Sequence, residues 1–327
     1  MYGYEVFHED KLKMHINAAR ENRVQQAYIF AGEKGIGKKK AARLFAASLV
    51  CGNEQLAPCG TCSACIGAKA DTNPDIRYIG SGDKKSIGVD AVREIVIDAY
   101  IRPFESRKKV YIIEDGDAVT EQAQNALLKI LEEPPEYVVF VILVSNLSSL
   151  LQTIISRCTI IRFTSLKRDE IVEYAKNNYP DADAQFLANY AEGNPGRVDE
   201  IMNQENFFLL RAMSLKMLIP LMSSHMISAY RIAEFAEENK DDIEQIIEFW
   251  QSMVRDIIFL QANPMAKIIN SDIRDDLKEL AGRFPPKTCT AAAENLNVAA
   301  EMVRRYVNIR ANMLNLAFSI KKESARA

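Results

Sequence analysis

The sequence predicts an α/β module built on a parallel sheet, followed by a region made only of helices. Two observations support this fold class. Up to Phe163, short apolar runs alternate with segments of helical periodicity, and strands that are apolar throughout are typical of parallel sheets covered on both faces. From Leu166 onward the periodicity is helical alone. A length of 327 residues suggests two or three domains.

The elements of the first half can be assigned in order from these patterns. Helices are predicted within 38–51, 89–101 and 149–158, where apolar residues recur at helical spacing. A further helix begins after the N-cap Thr120 and ends at Pro134. Strand candidates are the apolar runs at 25–30, 110–113, 137–144 and 158–163.

Composition excludes several classes of function. The hydrophobic fraction is 48% and the charged fraction 26%, as expected of a globular protein. A net charge of −3 argues against DNA binding by overall charge alone. The chain could still carry a local basic face that binds DNA. The start of the chain lacks the apolar core of a signal peptide, and the run 137–144 is too short to cross a membrane. We therefore expect a cytoplasmic protein without membrane association.

The stretch GEKGIGKKK resembles a phosphate-binding loop with one departure. Gly32, Gly37 and Lys38 match G-x-x-x-x-G-K-[ST], and Gly35 lies between them, but Lys39 stands where a hydroxyl should ligate Mg²⁺. The stretch follows a strand candidate and precedes a helix, which is the context that such a loop requires. A glycine-rich turn with solvated lysines is the alternative.

Acidic residues follow the second apolar run of the predicted sheet. Glu114 and Asp115 come directly after 110–113, and Asp117 lies close by. In a hydrolytic nucleotide site one such carboxylate holds Mg²⁺ and another orients water. A solvated acidic end of a strand explains the same residues equally well.

Four of the six cysteines fall within fifteen residues. Cys51, Cys59, Cys62 and Cys65 supply four thiolates, enough for a closed tetrahedral zinc site of the structural kind. In a reducing compartment such a cluster favours metal over disulfides. Unrelated cysteines in a loop rich in Gly and Pro are the alternative. Apart from Lys69, nothing basic or aromatic surrounds the cluster, which argues against a zinc-dependent nucleic-acid-binding module.

Several motifs in one order carry a family resemblance. They are the glycine loop, the four-cysteine insert, NALLKILEEPP (125–135) and TIISRC (153–158). Over residues 25 to about 197 the chain resembles the delta-prime subunits of the bacterial DNA polymerase III clamp loader, which belong to the AAA+ superfamily.

The resemblance implies three domains and a set of partners. These are an AAA+ module at 1–165 with a zinc insert at about 51–67, a helical lid at 166–205 and a helical collar at 206–327 that joins the subunits. The implied partners are gamma/tau and delta subunits, with the sliding clamp and primer–template DNA reached through the complex. The implied role is that of a structural subunit of the DNA polymerase holoenzyme, without ATP hydrolysis of its own.

The resemblance also assigns roles to residues. Arg157 of Ser-Arg-Cys matches an arginine finger that reaches a neighbour's ATP. Arg197 resembles the second-sensor arginine, and Ser145 and Asn146 lie near the first sensor. Candidates for DNA contact are Lys129 and the run 107–109, although solvated surface cations are equally expected there.

Two departures separate this sequence from ATP-hydrolysing relatives. The ATP-hydrolysing relatives carry Lys-Thr or Lys-Ser in the loop and Asp-Glu after the second strand. This chain has Lys38-Lys39 and Glu114-Asp115 at those positions. Misplacing a catalytic group by about 1 Å can cost on the order of 100-fold in rate. The departures predict lost hydrolysis and leave weak ATP or ADP binding open. The alternative function is an active gamma/tau-like ATPase or a related AAA+ motor.

Overall fold

The computed structural model describes residues 7–82, 84–223, 225–305 and 307–325. Within them the chain divides into two compact units. The sheet unit comprises Met1–Leu166 with Asn194–Gly196, and the helical unit comprises Lys167–Gly193 with Arg197–Ala327. The finer division of the helical part into a lid and a collar stays a prediction.

The sheet unit confirms the predicted parallel sheet. Its strands are β1 Ala27–Ala31, β2 Ile76–Ile79, β3 Lys109–Ile113, β4 Val138–Val144 and β5 Thr159–Arg162. They lie in the order β2-β3-β4-β1-β5, and each neighbouring pair is parallel. The helices of this unit are α1 Glu9–Arg20, α2 Lys38–Val50, α3 Ser63–Lys69, α4 Val89–Ala99, α5 Glu121–Glu132 and α6 Gln152–Ile155.

Alternation along each strand builds a core on both faces of the sheet. Tyr28 and Phe30 of β1 pack in one cluster with side chains of α1 and α2, whereas Ile29 packs in the other with side chains of α4, α5 and α6. The central strands are buried along their whole length. This double coverage is why the strands read as continuous apolar runs.

Three elements of the sheet unit were not predicted from the sequence: helix α1, strand β2 and helix α3. Strand β2 lies at one edge of the sheet, and its exposed Arg77 interrupts the apolar run that would have revealed it. The cysteine segment, expected to be a loop, contains the short helix α3. The Cys62 sulfur accepts a hydrogen bond from Cys65 N and so acts as the N-cap of that helix.

The helical unit contains α7 to α15, except that the first two residues of α9, Pro195 and Gly196, belong to the sheet unit. Their bounds are α7 Arg168–Asn178, α8 Ala184–Ala191, α9 Pro195–Asn203, α10 Phe207–Met222, α11 Met226–Glu238, α12 Ile243–Ala262, α13 Arg274–Arg283, α14 Pro286–Arg304 and α15 Ile309–Ala325. Trp250 of α12 is fully buried, and its indole N–H donates to Ser214 O at 2.9 Å. The described helices include none with the length and apolarity needed to cross a bilayer.

A buried polar network fixes the loop between α12 and α13. The Arg211 guanidinium donates to both carboxylate oxygens of Asp272, at 2.7 and 2.9 Å, and to Asn270 Oδ1 at 2.8 Å. Asn270 in turn donates its backbone N–H and its side-chain amide to Asp256. Because Arg211 and Asp256 are buried, these bonds compensate the cost of removing their charges from water.

Candidate functional site

The glycine loop, residues 32–38, connects β1 to α2, as the sequence predicts. Gly35 and Gly37 have φ of 85° and 100°, a region that side chains with a Cβ disfavour. A Cβ on Gly32 would lie 2.5 Å from Phe163 O. All three glycines are therefore required by backbone geometry, whatever the loop binds.

Lys38 bonds to the loop itself. Its Nζ donates to Gly32 O at 2.5 Å and to Glu33 O at 2.8 Å. The side chain is buried, and burial lowers the pKa of its ammonium, although Asp117 and Glu33 act in the opposite direction. To bind a phosphate, Lys38 would have to exchange these two carbonyl acceptors for phosphate oxygens.

Lys39 forms an ion pair with one of the predicted metal-binding acids. Its Nζ lies 2.8 Å from Glu114 Oε2, across 75 positions of the sequence. Glu114 is mostly shielded from solvent by its surroundings, with 20% of its side chain exposed, and Lys39 has 52% exposed. At the position where other phosphate-binding loops have a Mg²⁺-binding hydroxyl, this chain has the ammonium of Lys39, which pairs with the carboxylate of Glu114 after β3.

The other two acids after β3 have partners on neighbouring loops. Asp115 accepts from Ser81 N at 2.9 Å and from Ser81 Oγ at 2.8 Å, and these bonds lower the pKa of its carboxyl. Asp117 accepts from the backbone N–H groups of Ser145 and Asn146. Burial raises the pKa of Asp117, but these hydrogen bonds outweigh burial and lower it. Both carboxylates therefore stay ionised and hold the chain around them.

A segment far along the chain packs against the glycine loop. In the NPG segment, residues 194–196, Asn194 Nδ2 donates to Lys34 O at 2.8 Å and Gly196 N donates to Gly35 O at 3.0 Å. A Cβ on Gly196 would lie 2.4 Å from Gly35 Cα. In the sequence, a Pro and a Gly at these positions indicate a break between helices and give no sign of this contact.

Arg197 has its partner in the helical unit. Its Nη1 lies 3.7 Å from Glu192 Oε2, and Arg255 Nη1 lies 3.7 Å from the other oxygen of the same carboxylate. These three residues help to line a cavity of about 520 Å³. The second-sensor role of Arg197 stays a prediction.

The four predicted cysteines converge on one point. The sulfur atoms of Cys51, Cys59, Cys62 and Cys65 all lie within 4.8 Å of one another, and two pairs are 4.0 Å apart. A tetrahedral Zn²⁺ with bonds of about 2.3 Å requires sulfur–sulfur distances of ~3.8 Å. The cluster can therefore hold a metal ion with little adjustment.

The thiols of this cluster differ in acidity. Backbone N–H groups of Thr61 and Cys62 lower the pKa of Cys59 to about 6, whereas burial raises the pKa of Cys65. A thiolate is the form that binds metal, so Cys59 loses its proton for metal binding more readily than Cys65 does.

Arg157 follows α6 and bonds within the sheet unit. Its Nη1 donates to Thr153 O at 2.8 Å and to Ser156 Oγ at 3.3 Å, and its Nη2 donates to Glu132 Oε1 at 2.6 Å. About a third of the Arg157 side chain, 35%, is exposed. Glu132 is the last residue of α5, and sequence reasoning did not single it out.

Gln124 fixes the segment ahead of Arg157 and was also missed. It is a buried glutamine whose amide donates to Val119 O and Ser149 O and whose carbonyl accepts from Leu151 N at 2.7 Å. The sequence indicates the role of Gln124 only in that a polar side chain stands on the face of α5 that packs into the core.

One predicted surface contact is wrong. Lys109, a candidate for DNA contact, is buried, and its Nζ is 2.9 Å from both Asp98 O and Asp98 Oδ2. The other two residues of the run also have partners. Arg107 forms an ion pair with Glu54, and Lys108 donates a hydrogen bond to Glu136 O. Lys129 is exposed, and contact with DNA by Lys129 stays a prediction.

Two family models match this chain. The model described as DNA polymerase III, delta subunit, matches residues 7–167. The model described as DNA polymerase III, delta subunit, C terminal, matches residues 210–315.

Curated relatives divide into two groups by length. The DNA polymerase III subunit delta' of Bacillus subtilis is 27% identical over 319 residues, which cover 95% of both chains. The gamma/tau subunit of Mycoplasma genitalium is 34% identical over 162 residues, 49% of this chain and 27% of that subunit. The chain therefore spans only about a quarter, 27%, of the length of that gamma/tau subunit. A gamma subunit-related protein of DNA polymerase III from Thermotoga maritima has a TM-score of 0.47 at 18% identity, covering 95% of this chain and 99% of that one.

Proposed function

Because the chain belongs to the delta-prime family of DNA polymerase III subunits, we propose that it works in a clamp loader as a subunit that does not hydrolyse ATP. It helps to place a sliding clamp on primed DNA, together with gamma/tau and delta subunits. The family models and the full-length similarity to a delta' subunit support this assignment. We propose a cytoplasmic location, where such DNA is available.

The ion pair between Lys39 and Glu114 carries the proposal that ATP hydrolysis is absent. Phosphoryl transfer needs Mg²⁺ to neutralise charge, with a protein hydroxyl and a carboxylate among the groups that hold it. Here the hydroxyl is replaced by an ammonium that already binds the carboxylate. Asp115, the other acid at this end of β3, is bonded to Ser81. Nucleotide binding by the glycine loop would then be weak.

The chemical contribution of this subunit lies at a neighbour's ATP. We assign Arg157 as an arginine finger acting in trans. A guanidinium spreads positive charge over the transferring phosphoryl group, and such a group is worth about 10³–10⁵ in rate in other systems. Its place on the turn after the short helix α6, with part of the side chain exposed, is compatible with that reach.

The four cysteines give the subunit a structural zinc site. Four thiolates leave no open position for a substrate, so the ion would stabilise the insert rather than act in catalysis. The insert has only Cys51, Ala57 and Cys65 as its buried cluster. Metal coordination would therefore supply much of the stability that a hydrophobic core supplies elsewhere.

Substitution of Arg157 by alanine tests the proposed role. The variant should fold and assemble normally, but a loader reconstituted with it should hydrolyse ATP at least tenfold more slowly at the site it faces. Wild-type loader activity from this variant would remove the finger assignment. ATP turnover by the isolated wild-type chain at a rate like that of gamma/tau would contradict the inactive loop.

A further inference from the structure

Glu132 and Arg157 come from different elements and meet at their exposed ends. Their closest atoms are 2.6 Å apart, and 49% of the Glu132 side chain and 35% of the Arg157 side chain are exposed. Glu132 ends α5 and Arg157 lies on the turn after α6, and these two helices contribute Leu131 and Ile154 to one core cluster. The pair is therefore set by the packing of α5 on α6 and remains accessible to solvent.

Helix stability does not explain an acid at this position. Glu132 ends α5 and Glu133 follows it, so two carboxylates lie at the negative end of the helix dipole. Anions at that end of a helix are unfavourable. The attraction of Arg157 offsets this cost for Glu132, which points to a role connected with the arginine.

The hydrogen bonds of Arg157 use the two terminal nitrogens of the guanidinium, which are the donors that bind oxyanions. Two parallel N–H bonds from the terminal nitrogens are the usual geometry for binding a phosphate oxygen pair. In this chain Nη1 is bonded to Thr153 O and Nη2 to the Glu132 carboxylate. A phosphoryl group and the Glu132 carboxylate would compete for the same donors.

We propose that Glu132 is an internal competitor for the finger: it holds Arg157 in a retracted, charge-neutralised position and must be exchanged for a neighbour's phosphoryl oxygens. This inference rests on the proposed finger role of Arg157. Exposed ion pairs of this type are weak, so the exchange is reversible. Glu132 thereby sets how readily the subunit activates hydrolysis at the neighbouring site.

The test compares Glu132→Ala, Glu132→Gln and the matched control Glu133→Ala in a reconstituted loader, with ATP hydrolysis measured without DNA. Glu133 carries the same charge one residue further on, and Arg157 has its carboxylate partner in Glu132. Glu132→Ala should raise the hydrolysis rate by up to about fivefold, the equivalent of an exposed pair worth ~1 kcal/mol. Glu132→Gln should give a smaller increase, and Glu133→Ala should match wild type.

Two further measurements separate competition from other effects. In the Arg157→Ala background the increase caused by Glu132→Ala should vanish, because nothing remains to be released. Raising salt should narrow the difference between wild type and Glu132→Ala, since screening weakens the exposed pair. An unchanged or slower rate for Glu132→Ala would overturn the competitor role. If Arg157→Ala alone leaves the loader at wild-type rate, the proposed function fails first.

Discussion

Replacing Gly196 with alanine tests the contact between the NPG segment and the glycine loop. The added Cβ would lie 2.4 Å from Gly35 Cα and 2.9 Å from Gly35 O, far inside van der Waals contact. Gly35 has little freedom to retreat, because its φ is 85° and the loop begins at Gly32, against Phe163. Overpacking of this kind costs about 1–3 kcal/mol.

The segment could instead move away from the loop, and the cost would then be similar. Two hydrogen bonds would be lost, from Asn194 Nδ2 and from Gly196 N. Each contributes about 0.5–1.5 kcal/mol, so the two routes predict the same loss of roughly 1–3 kcal/mol in the free energy of unfolding.

Urea unfolding followed by far-ultraviolet circular dichroism measures this loss. Gly282→Ala is the matched control, because a Cβ there meets nothing within 4 Å in the last turn of α13. The control should be neutral or up to ~1 kcal/mol more stable, as expected for alanine in a helix. The reasoning is refuted if Gly196→Ala unfolds within about 0.5 kcal/mol of wild type.

Two more predictions concern the sheet unit. Asp75 accepts three backbone N–H bonds from residues 104–106, and although burial raises the pKa of its carboxyl, these bonds prevail and lower it. Asp75→Asn should therefore cost about 2–3 kcal/mol at pH 7. The deficit should shrink as pH falls below about 4 and the wild-type carboxylate protonates; unfolding curves with a pH-independent deficit would contradict this. Elemental analysis should find about one zinc ion per chain, and chelation should speed amide hydrogen exchange in α3 while leaving β4 protected. A metal-free protein with a protected α3 would show that the insert folds without an ion.

The sequence was most informative where a structural cause acts over a short stretch of chain. The strands β1, β3 and β4 were predictable because helices cover both faces of the sheet, so all their side chains are buried and, apart from Lys109 at the start of β3, they form apolar runs. Strand β2 was not, because an edge position lets Arg77 face solvent and breaks the pattern. Helix α3 was missed because its N-cap is a cysteine sulfur rather than one of the usual capping oxygens.

Site residues were likewise predictable where the residues that meet are close along the chain. The four cysteines could be grouped from spacing alone, since they are close along the chain. The partners of Lys39 and Gly35 could not, because Glu114 and the NPG segment lie 75 and about 160 positions away. Lys109 looked like a surface cation in a basic run, but its position as the first residue of a buried strand places it against Asp98.

The pair of Lys39 and Glu114 also determines what the glycine loop can respond to. A site completed by a diffusible ion is stabilised in proportion to the logarithm of that ion's concentration. A cation attached to the chain is always present at the same effective concentration. The charge of Glu114 is thus balanced irrespective of the magnesium and nucleotide in solution. Under the function proposed above, this loop would keep one conformation while neighbouring subunits exchange ATP and ADP.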